Sequence, residues 1–168
     1  MSKTGIFYSF NTVNTKKIAE LIQTEFGNHT VEMVNAEMLT SEQFLAFDFF
    51  IIGAPTWFDG ELPNYWDEFV PEIKEMDLTG KTFALFGLGN QTEYPENFGD
   101  AIGILANLFT SKGGKVVGAT TTDGYTFEKS AAIINGKFIG LMIDIENQDN
   151  LTSDRVKSWV KQLKKELK

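Results

Sequence analysis

Apolar positions along this chain change period several times, and the changes mark out alternating strands and helices. An apolar run ending in Ile6-Phe7-Tyr8 predicts a first strand over 3–8. Ile18, Leu21, Ile22 and Phe26 then recur at helical spacing and predict a helix over 14–27. TVEMV, 30–34, predicts a second strand, and SEQFLAF, 41–47, a short helix with Ser41 as its N-cap. FDFFIIGAP, 47–55, is almost continuously apolar, which suits a strand buried on both faces of a parallel sheet. Residues 63–75 read as a helix opened by Pro63, and KTFALFGLG, 81–89, as another buried strand. A helix over 98–112 turns Ile102, Leu105, Ala106 and Phe109 inward and stops at Gly113-Gly114. KVVGA, 115–119, is a fifth strand.

The alternation then breaks. Residues 120–137 are polar and punctuated by glycine, and FIGLMID, 138–144, resumes as a strand. The segment between reads as an insertion dividing the last strand region. A final helix is expected after an N-cap at Ser153, with Val156, Trp159, Val160, Leu163 and Leu167 on one stripe. Trp159 on that stripe is core packing, and the lysine-rich end complements the helix dipole. Strands separated by helices predict an α/β fold: a single domain over 1–168 with a doubly wound five-stranded parallel sheet and helices on both faces.

Composition narrows the chemistry. The chain has 168 residues and a formal net charge of −8, so its surface repels nucleic-acid phosphate and anionic membranes and favours basic partners. It has no cysteine, which excludes thiolate catalysis and iron–sulfur ligation. One histidine, His29, falls in the turn-like GNHT, so zinc sites and a Ser-His-Asp triad lack their ligands. No metal site and no catalytic residue are expected. No stretch approaches the roughly 18 apolar residues a membrane span needs. The first residues enter a strand at once without a signal-like apolar core, so a cytoplasmic or stromal-like compartment is expected.

In doubly wound sheets, ligands bind beyond the carboxyl ends of the strands, where strand order reverses. Three loops lie there. The first, 9–15, carries Ser9, Asn11, Thr12, Asn14 and Thr15 at a helix start. Free backbone N–H groups and the helix dipole hold a phosphate there without a lysine or arginine. Simple capping by Asn11 or Thr12 is the plainer account, but a cap needs one such residue and the loop has five. The second loop places Trp57 and Phe58 directly after a strand, a platform for a flat ring, with Asp59 and Glu61 at the rim and Gly60 free to adopt unusual backbone angles. The third holds Tyr94 and the amides Asn90, Gln91 and Asn97, suited to the edge of a heterocycle. A phosphate cradle, two aromatic faces and an amide-rich edge are the parts that flavin mononucleotide (FMN) requires.

On these residues the chain resembles the flavodoxin family, and the long-chain type in particular, nearly end to end. PTWFDGEL, 55–62, is similar to the family's PTW-x-x-GEL, and Tyr94 in EYPENFGDAIGIL matches its second stacking aromatic. DGYTF, NGKFIGL and DRVKSWV follow the long-chain pattern. The resemblance implies a flavodoxin-like sheet ordered 2-1-3-4-5 and bound FMN. It implies flavin contacts for Ser9, Phe10, Asn11, Thr12, Val13, Asn14 and Thr15 around the phosphate. It implies further contacts for Pro55, Thr56, Trp57, Phe58, Asp59, Gly60, Leu88, Gly89, Asn90, Tyr94 and Asn97 around the ring. Phe10 stands where the family has Thr or Ser, and Val13 where it has Gly. Valine resists positive φ, so Val13 is expected to have an ordinary φ and still turn its N–H to the phosphate.

The resemblance also implies a low-potential one-electron carrier, with chemistry supplied by the cofactor and tuned by the protein. The Phe58–Asp59 peptide matches the one whose carbonyl accepts a hydrogen bond from flavin N5. Asp59, Glu61, Asp67, Glu93, Asp123 and Asp144 are expected to form an acidic rim for basic redox partners. By resemblance these are ferredoxin-NADP reductase and, in a photosynthetic setting, photosystem I. A monomer is expected. An FMN-dependent quinone reductase on the same fold is the nearest alternative. A receiver domain lacks its acidic pair, because YSFNT fills that place. A flavin-binding protein without redox function, its cradle weakened at Phe10 and Val13, is the third alternative.

Overall fold

The computed structural model describes residues 2–167, and the side chain of Phe58 falls outside that description. Strand β1 (Thr4–Tyr8) alternates its side chains between the two sheet faces, as a pleated strand must. Ile6 and Tyr8 enter one core and Phe7 the other. Helix α1 (Asn14–Phe26) follows, then β2 (Glu32–Asn35), a 3₁₀ turn (Ala36–Met38), α2 (Ser41–Leu45) and β3 (Phe49–Pro55). A turn at Phe58–Gly60 leads to α3 (Asn64–Asp67) and α4 (Val70–Lys74), and then to β4 (Thr82–Leu88), α5 (Asp100–Ser111) and β5 (Lys115–Val117).

All pairings in the main sheet are parallel, in the order β2-β1-β3-β4-β5. The insertion carries a small antiparallel hairpin, β6 (Ile133–Ile134) with β7 (Lys137–Phe138). Strand β8 (Leu141–Ile143) then returns to the sheet and pairs with Phe86–Leu88, while β5 pairs with Thr82–Ala84. The fifth strand position is therefore split into two pieces end to end along β4, as the broken sequence pattern predicts. Helix α6 (Ile145–Glu166) closes the fold.

Each sheet face has its own core. One is rich in phenylalanine, with Phe83 stacked on Phe109 at 4.3 Å and on Phe50 at 4.6 Å between ring centroids. Such pairs contribute about 0.5–1.5 kcal/mol each beyond their buried area. The other core lies under α1 and α6 and contains Ile18, Ile22, Val156 and Trp159. Trp159 is buried and donates its indole N–H to the Gly118 carbonyl at 2.8 Å. His29 lies exposed in the turn after α1.

Beyond shifts of one or two residues at element ends, three features differ from expectation, each for a local reason. The segment expected as one helix over 63–75 forms two, because Pro71 has no N–H to give the preceding turn. Thr40, not Ser41, caps α2 by accepting from the Gln43 N–H, while Ser41 donates to Glu72. The final helix starts at Ile145, not after Ser153: the Asp144 carboxylate caps it through the Asn147 N–H, and a kink at Gln148 joins its two parts.

Candidate functional site

The carboxyl ends of β1, β3 and β4 bring the three expected loops to one edge of the sheet. After β3, the chain makes a tight hairpin. Trp57 and Glu61 exchange backbone hydrogen bonds at 2.9 and 3.3 Å, and the Gly60 N–H donates to the Trp57 carbonyl. This requires positive φ at Asp59 (55°) and Gly60 (78°). A Cβ on Gly60 would sit 2.6 Å from an Asp100 carboxylate oxygen, so only glycine lets the hairpin press against the start of α5. Thr56 fastens the same loop, its hydroxyl oxygen accepting from the Ala101 N–H.

The loop after β4 is held from below. Gln91 is buried, and its backbone and side-chain amides donate to the Asp144 carboxylate at 3.0 and 2.8 Å. Its side-chain oxygen accepts from the Thr126 N–H of the insertion. Asp144 is fully buried and also accepts from the Asn147 backbone and side-chain amides. The expected placement of Asp144 on the acidic rim is therefore corrected: it is an internal anchor, because four N–H groups converge on it. Gln91, expected at the heterocycle edge, is spent on that anchor.

Between the two loops lies a slot of about 290 Å³. Thr56, Trp57, Asp59 and Glu61 line it on one side, and Gly89, Asn90, Tyr94, Asn97 and Phe98 on the other. Trp57 and Tyr94 are 45% and 50% exposed, far more than core aromatics, and both line the slot. Tyr65 meets Trp57 edge-on at 6.5 Å and backs it. Asn90 lines the slot, but its side-chain oxygen accepts from Thr92, Glu93 and Asn147, which fixes the loop. Asn97 donates to Asp100. Pro55 and Leu88 are absent from the lining: Pro55 ends β3, and Leu88 packs into the core under α1 and α6. The expected contact through the Phe58 side chain falls outside the described residues. Phe98, buried and lining the slot, was not singled out in the sequence, where it reads only as part of a helix.

The loop after β1 does not line the slot but lies next to it, since β1 pairs with β3. Val13 has φ −93°, an ordinary value, and immediately precedes α1 with no side-chain cap. Neither Asn11 nor Thr12 caps the helix, so its first N–H groups are available to a ligand. Thr12 donates its hydroxyl to the Ser9 carbonyl at 2.7 Å, and the Asn11 N–H donates to the Ser9 hydroxyl oxygen at 3.2 Å. Phe10 is partly exposed beside Tyr8, and Thr15 is buried in the first turn. Glu37, from the turn after β2, reaches this loop and accepts from the Ser9 hydroxyl and from the Asn11 amide. No motif marks Glu37, but β1 and β2 are neighbours, so the turns that follow them must meet.

A Flavodoxin family model matches residues 6–159. A flavodoxin of Nostoc sp. is 46% identical over 164 residues, covering 98% of this chain and 96% of that one. Flavodoxin 1 of Escherichia coli is 40% identical over 168 residues, covering 99% and 96%. The crystal structure of Fusobacterium nucleatum flavodoxin bound to flavin mononucleotide superposes with a TM-score of 0.93 at 39% identity, covering 99% of both chains. With a family model spanning most of its length and relatives this similar, the chain belongs to the flavodoxin family, proteins that transfer electrons rather than turn over a substrate.

Proposed function

We propose that this protein is a low-potential one-electron carrier on bound FMN, working in a cytoplasmic or stromal-like compartment. The observation that carries this is the pair of half-exposed rings, Trp57 and Tyr94, facing one slot beside an uncapped helix start. When bound, FMN supplies the electron chemistry. Trp57 and Tyr94 present faces for the flat ring in the slot they share. The N–H groups at Val13–Thr15 and the dipole of α1 hold the phosphate. The turn at Phe58–Gly60 supplies backbone polar groups at the rim, with Asp59 already in the left-handed region. Asp59 and Glu61 line the slot and disfavour added negative charge on its occupant, which lowers the potential of the second electron.

For partners we propose basic redox proteins of the ferredoxin-NADP reductase kind and, in a photosynthetic host, photosystem I. Asp59, Glu61, Asp67, Glu93 and Asp123 are all exposed, which suits such surfaces. No helix among the described residues is long and apolar enough to cross a membrane. The deciding experiment is the visible spectrum of the purified protein through slow anaerobic reduction. Flavin absorption that fades in two separate one-electron steps supports the carrier. A colourless protein that takes up no added FMN refutes it.

A further inference from the structure

We propose that Glu37 is an internal competitor for the phosphate position of the loop after β1. This rests on the phosphate role given to that loop above. The register pairs Tyr8 with Asn35, so the turns after β1 and β2 lie side by side. Asn35 clamps them together: its side-chain oxygen accepts from the Phe10 N–H at 3.3 Å and from the Glu37 N–H at 3.2 Å. Glu37 is thereby aimed across the loop. One carboxylate oxygen takes the Ser9 hydroxyl, and the other takes the Asn11 amide at 2.8 Å. Two oxygens of one anion on two donors of the loop is what a phosphate would do there.

The loop carries no side-chain cation to neutralise a second anion beside Glu37. Residues 9–15 contain no lysine or arginine. Lys16 and Lys17 follow on α1, and Lys17 pairs with Asp149 at 3.8 Å. A phosphate monoester therefore has to displace the carboxylate or bind against its charge. The fold also supplies a place for the displaced group. Tyr65 lies on α3, which packs against the Ala36–Met38 turn, and its buried hydroxyl has no hydrogen-bond partner among the described residues. Burial raises its pKa first, and the Glu37 carboxylate raises it further. A buried donor without an acceptor is costly, and a carboxylate turned away from Ser9 and Asn11 relieves it. Glu37 thus has two positions, one on the cradle and one on Tyr65, and ligand phosphate decides between them.

The test is flavin binding by the full chain stripped of flavin, for the parent, E37Q and Y65F, with FMN and riboflavin in parallel. Riboflavin has the same ring and no phosphate. Glu37→Gln keeps shape and acceptor but removes the charge, so FMN should bind about tenfold tighter and riboflavin unchanged. Tyr65→Phe removes the alternative partner, so FMN should bind about two- to threefold more weakly. In the double variant, affinity should return to that of E37Q. Equal or weaker FMN binding by E37Q, or the same gain for riboflavin, overturns the proposal while leaving the carrier intact. Failure of all proteins to bind either flavin overturns the carrier and this proposal together. Thermal midpoints of the flavin-free proteins verify that each variant is folded.

Discussion

Asp59 shows how one side chain carries both a backbone and an electrostatic role. Its φ of 55° is unusual for any residue but glycine, and Asp and Asn tolerate it best. Its carboxylate lines the slot and is exposed. Asp59→Asn keeps the turn and removes only the charge. The second one-electron midpoint potential should rise by on the order of tens of millivolts, and the visible spectrum should stay the same. A potentiometric titration that finds no change removes Asp59 from the tuning of the site. At this scale the sequence was most informative where a residue type is out of place. Trp57 directly follows a strand end and Tyr94 lies in the polar loop after β4, places where large rings lack a core, and both line the slot. It was least informative for Glu37 and Tyr65, whose neighbours come from separate turns and follow only from strand order.

Elements were legible wherever one period ran unbroken, as in β3, β4 and α5, and their cores match the apolar runs. The start of the last helix was misjudged because one polar side chain does two jobs. Asp144 ends an apolar run and looks like the last residue of a strand, yet it caps α6 and anchors the loop after β4. Replacing Asp144 with Ala strands the amides of Gln91 and Asn147 and should cost about 2–4 kcal/mol by chemical denaturation. The loop bearing Tyr94 should lose amide-exchange protection first, and a uniform loss across the sheet would show that the anchor is not local. Tyr125 pins the insertion to the same region, its hydroxyl donating to the Met142 carbonyl at 2.6 Å under the Arg155 guanidinium. Burial pushes its phenol up to about 12, with Arg155 opposing and Asp144 adding. The unfolded chain loses that proton near pH 10, so the stabilisation is complete below pH 10 and is lost as pH rises towards 12. The loss is about 3 kcal/mol. Tyr125→Phe should flatten this part of the alkaline stability curve, and an unaltered curve would assign the alkaline loss to other groups.

Over the whole molecule the charges are not evenly spread. The exposed acids Asp59, Glu61, Asp67 and Glu93 gather at the end where the strands finish. Lys161, Lys164 and Lys165 lie on the last turns of α6, and Lys164 donates to the Glu25 carbonyl at the end of α1, the opposite end of the sheet. A net charge of −8 with this separation gives the protein a dipole that turns its slot towards a positively charged partner before contact. Orientation of this kind acts on the encounter rate and is screened by salt. The bimolecular rate of electron transfer to a basic reductase should therefore fall by roughly an order of magnitude between about 0.01 and 0.15 M salt, as the screening length shrinks from about 30 to about 8 Å. Neutralising Glu61 and Asp67 together should lower the rate at low salt and flatten its salt dependence, because both groups sit at the slot end. Neutralising Lys164 and Lys165 weakens the far end of the dipole but also makes the net charge more negative, so the low-salt rate should change little. Stopped-flow traces for the parent and both double variants across this salt range separate orientation from net charge alone. If only net charge mattered, the lysine variant would react faster by as much as the acidic variant reacts more slowly.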